Sequence, residues 1–289
     1  MTRLLHVGLG PLGRLIATDA KRRGIATIVD AVDVDPAMKG RMLKDVAPES
    51  GFEARVHGSI GEAVRSGGVG GAGGAGKYDA ALLTTSSDLA KCASSLRELI
   101  ALGLPIVSTC EELLFPWLRH RGLAEELHEL CVKSGARVIG TGVNPGFLMD
   151  TLPVSLTAVC RSVKRVKVWR VQDATTRRIP FQQKIGAGLG RDGFDAKVKE
   201  GTLRHVGLGE SLHFVAHYLG MKLEKWDESI EPVIAQRALT CGLGPIFAGR
   251  VAGVRQVGEA GRQARPQGTG PWSNWSFRRQ SGRKSRTTG

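Results

Sequence analysis

The sequence predicts an α/β chain: a doubly wound parallel sheet over residues 1–146, followed by a second, mixed α/β (α+β) domain over residues 147–257. Three observations carry that prediction. The chain opens on a short apolar run, Met1–Val7, that turns through Gly8-Leu9-Gly10-Pro11-Leu12-Gly13 into a helical stretch and then into a second apolar run tipped by Asp33. Strand-like and helix-like segments then alternate to about residue 140, which in one sheet means parallel strands with right-handed crossovers. Past Phe147 the pattern changes. Val163–Val171 interleaves Lys164, Arg165, Lys167 and Arg170 with valines, the period of a strand in a sheet with one solvated face.

Each residue of the glycine turn has a physical task. Gly8 permits the tight turn off the strand, Gly10 leaves the backbone open to a pyrophosphate, and Gly13 lets the helix pack close to the sheet. Pro11, Leu12 and Gly13 open the helix, and the free N–H groups at its start face the phosphates. Asp33 falls 20 residues after Gly13, where a carboxylate accepts hydrogen bonds from the adenosine ribose hydroxyls. A glycine turn alone can serve packing only; at the head of an acid-tipped βαβ pattern it points to a dinucleotide. A carboxylate repels a 2′-phosphate, so the cofactor reads as NAD or NADP with NAD favoured. Lys39 and Arg41, just beyond, act in the other direction.

The elements follow in order. After Asp35-Pro36 the sequence reads as helical, then as a short strand at Glu53–His57 and a helix at Ser59–Arg65. Residues 67–76 hold seven glycines in ten positions, which suits neither helix nor strand and reads as a flexible surface loop rather than a phosphate cradle. Tyr78–Ser87 is a buried strand ending in the hydroxyls Thr84, Thr85 and Ser86. A helix follows at Asp88–Leu102, then a strand at Pro105–Thr109 with Cys110, Glu111 and Glu112 at its end. A helix at Gly122–Ser134 and a strand at Ala136–Gly140 lead into Asn144-Pro145-Gly146. Ligands sit outside the carboxyl ends of parallel strands. The hydroxyls, Thr109 and Asn144 all fall there, although turns and helix caps are the ordinary use of such residues.

In the second region Thr175–Lys184 is polar and basic. Helices are read at Asp192–Glu200 and Glu210–Leu219, and a strand at Glu224–Ile234. From about residue 256 aliphatic residues thin out in favour of Gly, Arg, Gln, Ser, Pro and two tryptophans. Residues 258–289 read as a basic, low-complexity tail. It is disordered, a nucleic-acid arm, or the product of a shifted reading frame. On each reading it stays outside the core and leaves an open sheet edge after Val233–Gly249.

Composition bounds the rest. A length of 289 residues and 42% hydrophobic content fit about two globular domains. No apolar run approaches the ~20 residues of a membrane span, and the first residues show no leader pattern. Five scattered cysteines without a CxxC pair suit reduced thiols in a cytoplasm and give no metal site. Half of the formal charge of +14 lies in residues 251–289, with eight basic residues against Glu259. The remaining body is mildly basic, which argues against nucleic acid as a partner.

The motifs Val7–Gly13, Val32–Pro36, Leu83–Ser87, Ser108–Glu112, Gly140–Phe147, Thr176-Arg177-Arg178 and His205–Leu208 together resemble the dihydrodipicolinate reductase-like superfamily. Within it they resemble the NAD(P)-dependent amine dehydrogenases, over about residues 3–257. The resemblance implies a Rossmann domain, a mixed α/β substrate and oligomerisation domain, and a cofactor held between them. It also implies hydride transfer between nicotinamide and the C–N carbon of a small amine or imine, in a homo-oligomer. Dihydrodipicolinate reductase itself carries a histidine-rich stretch, a lysine and a Ser-Gly-Thr turn; Val171–Gly188 has none of the histidines and no such turn. Proton transfer at nitrogen needs an acid or base, and the candidates are Lys184, His205 and Glu111. Their ordinary readings are a surface lysine, a structural histidine and a helix-start acid. Two other functions share the scaffold: a cyclic-imine or carbonyl reductase, and a non-catalytic nucleotide sensor or nucleic-acid binder using the basic tail.

Overall fold

Thr2–Val7 forms the first strand, β1, and Pro11–Arg23 the first helix, α1, started by proline at its first position and ended by Gly24 in the left-handed conformation. The computed structural model describes residues 1–66, 76–177, 179–203, 206–261 and 275–281. The chain divides into two units, Met1–Gly146 and Phe147–Gly289.

In the first unit β2 (Ala26–Val32), α2 (Leu43–Val46), β3 (Arg55–His57), α3 (Ile60–Arg65), β4 (Ala80–Leu83), α4 (Leu89–Ala101), β5 (Pro105–Ser108), α5 (Arg121–Ser134) and β6 (Arg137–Gly140) follow. All six strands are parallel, in the order β3-β2-β1-β4-β5-β6. The winding reverses between β1 and β4, the place where open α/β sheets bind ligands. Alternate strand residues feed two cores. Leu5, Val7, Leu83 and Ile106 pack with Leu89, Leu96 and Leu99 of α4, while Ile28, Ala31 and Val56 pack with Ala17 and Ala20 of α1. Each fully buried leucine contributes about 2 kcal/mol. Side chains fix the helix starts: Ser59 accepts the Glu62 N–H (3.2 Å) and Asp88 the Lys91 N–H (3.2 Å).

Two sequence expectations change here. The stretch after Asp35-Pro36 is mostly turn, with α2 as a single four-residue helix. Residues 40–42 pair back along β3 instead: the Gly40 N–H donates to the Val56 carbonyl (2.8 Å) and the Val56 N–H to the Arg41 carbonyl (2.9 Å). Of the glycine-rich loop, residues 67–75 lie outside the described residues.

The second unit contains α6 (Thr151–Thr157), β7 (Lys167–Gln172), α7 (Ile179–Lys184), α8 (Arg191–Lys199), α9 (Leu208–Tyr218), β8 (Lys225–Ile234), β9 (Leu239–Cys241), β10 (Gly244–Ile246), β11 (Val251–Gly261) and β12 (Trp275–Ser281). β9 and β10 make a hairpin, and the main sheet runs β7-β12-β11-β8. Met149 with Leu208, Leu212 and Val215 of α9 packs against the sheet residues Val168, Trp226 and Ala260. Gly258 allows this contact, because a Cβ there would lie 2.9 Å from Leu212.

The reading of residues 258–289 as a tail outside the sheet is corrected for residues 258–261 and 275–281, while residues 262–274 and 282–289 lie outside the described residues. β11 continues through Gly261, and residues 275–281 form β12 inside the sheet, antiparallel to β11 and parallel to β7. The sheet is therefore not open at β11. The sequence argument weighed aliphatic content. An interior strand is also held by its main chain, and β12 has a paired neighbour on each side. The strand read from Val163 begins at Lys167. Trp272 lies outside the described residues.

Candidate functional site

Gly8 leaves β1 at φ +98°, and its N–H donates to the Val32 carbonyl (2.8 Å), tying the turn to the end of β2. The Leu9 N–H donates to Asp33 Oδ2 (2.6 Å) and the Asp35 N–H to Asp33 Oδ1 (2.9 Å). The half-buried acid is thus fixed beside the glycine turn, and each oxygen keeps a second lone pair for a ligand hydroxyl.

The three glycines divide by task. A Cβ on Gly8 would stand 2.8 Å from the Thr84 carbonyl carbon, and one on Gly13 would overlap the Gly8 carbonyl oxygen. These two are required by the fold. Gly10 has an ordinary extended backbone (φ −60°, ψ 178°), and a Cβ there would meet no protein atom within 4 Å. Packing gives no reason for this glycine; the close approach of a ligand does. Gly10 also stands at the N-cap of α1 without a side-chain cap. The first inward bond of the helix runs from the Arg14 N–H to the Gly10 carbonyl (3.0 Å), so the Leu12 and Gly13 N–H groups point forward by helix geometry, and Pro11 has none to offer.

Thr84 was a candidate cofactor contact; the structure gives its hydroxyl a different task. It is buried and donates to the Gly8 carbonyl (2.6 Å), so it accepts from His6 Nε2–H (3.1 Å). Burial pushes the His6 imidazole down to about 4, and it is neutral near pH 7. The Thr84–His6 pair clamps the turn from beneath. Thr85 is exposed, with Oγ1 3.5 Å from Cys92 Sγ. Ser86 Oγ accepts the Asp88 N–H (3.1 Å), which is turn chemistry at the head of α4. Thr109 is half-buried at the end of β5, its N–H on the Leu83 carbonyl (3.0 Å).

The two acids after β5 separate. Glu112 is buried, and its Oε2 accepts both the Leu89 N–H of α4 (2.9 Å) and His120 Nε2–H (2.9 Å), a structural role that no sequence signal marked. Glu111 stands half-buried at the first position of a 3-10 turn on the same side of the sheet as the glycine turn. Cys92 and Cys110 are both buried and donate to the Ser86 and Ser87 carbonyls (3.4 and 3.3 Å). The Cys92 thiol and burial push the Cys110 thiol up, so it stays protonated. Asn144 ends the unit beyond β6, and its Oδ1 is buried with no hydrogen-bond partner among the described residues, an acceptor available to a ligand N–H.

In the second unit Lys184 is exposed at the last position of α7, outside the desolvated setting that a catalytic lysine needs. His205 and Arg178 lie outside the described residues. Among the described residues no group of three His, Cys, Asp or Glu side chains is placed to hold a metal, and no helix is long and apolar enough to cross a membrane.

Residues 147–267 match the family model of the 2,4-diaminopentanoate dehydrogenase C-terminal domain. The chain is 31% identical over 182 residues to 2,4-diaminopentanoate dehydrogenase of Acetoanaerobium sticklandii, an alignment covering 62% of this chain and 52% of that relative. The chain thus spans about half the length of the curated relative it matches. Among solved structures, an amine dehydrogenase from Mycobacterium smegmatis superposes with a TM-score of 0.74 at 20% identity, covering 100% of this chain and 81% of that one. An oxidoreductase from Agrobacterium radiobacter in complex with NAD+, L-tartaric acid and magnesium superposes with a TM-score of 0.53 at 14% identity, covering 97% and 66%. These structural likenesses show the fold alone, an α/β architecture built on a six-stranded parallel sheet.

Proposed function

We propose that this chain is an NAD(P)-dependent oxidoreductase acting on the C–N carbon of a small amine or imine, with NAD favoured over NADP. The observation that carries the nucleotide part is Gly10, the one glycine of the turn that packing does not require. The forward N–H groups of α1, the lone pairs of Asp33 and the buried Oδ1 of Asn144 fit the diphosphate, a ribose and an amide N–H respectively. The amine part is supported by the 31% identity to a relative named for 2,4-diaminopentanoate and by the family match over residues 147–267.

When bound, the nicotinamide supplies or accepts the hydride. The chain's own tasks are to hold the dinucleotide at the β1–β4 switch point and to manage a proton at the substrate nitrogen. Glu111, half-buried in the segment that leaves β5 on the side of the glycine turn, is the described candidate for the second task. The five free thiols suit a reducing cytoplasm, and the exposed Trp169 and Val171 on β7 suit a homo-oligomer.

Direct titration with NADH and NADPH, with a steady-state screen of amines, amino acids and imines, tests the reading. Expected are saturable dinucleotide binding and amine-dependent reduction of NAD. Glu111→Gln should lower kcat by about 100-fold while leaving the NADH dissociation constant within twofold. Binding without turnover on any amine would sink the amine reading, and no binding would sink both.

A further inference from the structure

Lys39 is the cation that the sequence sets against Asp33, and its surroundings decide whether its charge is available. The turn after Pro36 folds back along β3, and the stem of Lys39 lies across Gly58, where a Cβ would come within 3.0 Å of Lys39 Cδ. Gly58 follows His57, whose carbonyl accepts the Asp33 N–H (3.0 Å). Lys39 therefore runs beside the end of β2 that carries the ribose acid. Its ammonium donates to Glu62 Oε1 on α3 (2.8 Å), while Glu62 Oε2 accepts the Gly58 N–H (3.0 Å). The lysine first, and the Gly58 N–H next, hold the Glu62 carboxyl below the usual carboxylate range. The neighbouring Arg41 guanidinium is turned to the Asp45 carbonyl (3.1 Å).

We propose that Glu62 determines cofactor specificity: by holding the Lys39 ammonium it withholds that cation from a ribose 2′-phosphate and favours NAD. The inference rests on the dinucleotide reading. Asp33 repels the 2′-phosphate directly; Glu62 acts at one remove, through Lys39. The Lys39–Glu62 pair is largely exposed, with side-chain exposures of 54% and 36%, so it rearranges at small cost and its effect on preference is modest. The position is a specificity element that the glycine-turn spacing does not reveal, because Glu62 is 29 residues beyond Asp33.

The test is calorimetric titration of NADH and NADPH into the full chain, its Glu62→Gln and Lys39→Met variants, and the double variant. Glutamine removes the charge yet keeps an oxygen for the Gly58 N–H, and Ser59 still caps α3, so Glu62→Gln should melt with the wild type. Its NADPH dissociation constant should fall about three- to fivefold, with NADH unchanged within twofold. Lys39→Met should change little alone, since Glu62 already holds the ammonium, but should abolish the gain in the double variant. A wild-type chain that binds NADH, with Glu62→Gln showing the same NADPH-to-NADH ratio, overturns the proposal. A gain that survives in the double variant overturns it too, by removing Lys39 from the path. A wild-type chain that binds neither dinucleotide overturns the nucleotide reading itself.

Discussion

In the first unit six parallel strands end on one side of a sheet, and the segments leaving them carry Gly8–Gly13, Asp33, Thr84–Ser86, Thr109–Glu111 and Asn144. In the second unit neighbouring strands run mostly antiparallel, so their ends fall on both sides. Lys184 sits there on an exposed helix end, and the other candidate, His205, lies outside the described residues. A parallel sheet gathers chemistry at one edge as a consequence of its topology; an antiparallel sheet supplies a surface, and its chemistry depends on which side chains happen to meet. The same contrast appears in how the units are held. Glycine geometry and a buried Thr–His pair fix the first at the switch point, and main-chain ladders around β12 fix the second.

The largest expected effect tests the second half of that contrast. Truncation after residue 274 removes β12, leaving β7 without its neighbour and β11 with β8 alone. Hydrogen exchange should show β7, β8 and β11 losing protection by several kcal/mol while β1, β2 and β4 keep theirs. Unchanged protection in β7 and β11 would make β12 dispensable and the contrast wrong.

Next comes the pair of glycines in the first unit. Gly10→Val should weaken NADH at least about 100-fold while lowering the melting temperature by only a few degrees, the cost of a poorer N-cap, because its side chain meets the ligand and no packed neighbour. Gly13→Val should instead unfold the unit at lower temperature, since it strikes the Gly8 carbonyl. If both variants melt alike, the division of tasks within the turn fails.

His6 sharpens the comparison through pH. Its imidazole is held at about 4 in the fold against an unfolded value of 6.5, so the unfolded chain binds the extra proton between those values. The buried neutral form thus favours the fold above pH 6.5, and stability falls as pH drops from 6.5 toward 4, by up to about 3 kcal/mol. Denaturant melts from pH 7 to 4 should show a steeper loss in the wild type than in His6→Gln. Parallel curves would remove His6 from the acid response.

Smaller than these is Asp33→Ala, expected to move the NADPH-to-NADH affinity ratio about tenfold toward NADPH. A fixed ratio would reassign the ribose contact to Asp35, whose Oδ1 accepts the Ala37 N–H (2.9 Å).

The first unit was legible because its cues are local. Turn glycines, an acid at fixed spacing and alternating periods place β1, α1, β2, β4, α4, β5, α5 and β6 to within a few residues. Hidden from that reading were partnerships between distant residues. Thr84 reads as a strand-end hydroxyl, and only the fold shows it turned inward to Gly8 and His6. Glu112 and Glu111 are indistinguishable as neighbours until α4 and His120 claim one of them. In the second unit the low aliphatic content after residue 256 misled, because a strand flanked on both sides draws on main-chain bonds that composition does not record. The turn at residues 36–42 misled for the related reason that Gly40 and Arg41 pair with a strand some fifteen residues away.

The placement of β12 has a consequence for the order of assembly. Among the described residues β7 has no sheet neighbour except β12, and the two are separated by roughly a hundred residues of chain. During synthesis β8 and β11 can close as an antiparallel pair once Gly261 has emerged, but Lys167–Gln172 must wait with its main chain unpaired until Ser281 follows. The first unit needs no such delay, since its strands from Thr2 to Gly140 are complete long before. The chain is therefore built to finish its first unit early and to hold an unfilled slot between β7 and β11 until β12 slides in, which makes that interval a period of exposure to chaperones and to misassembly with a second copy.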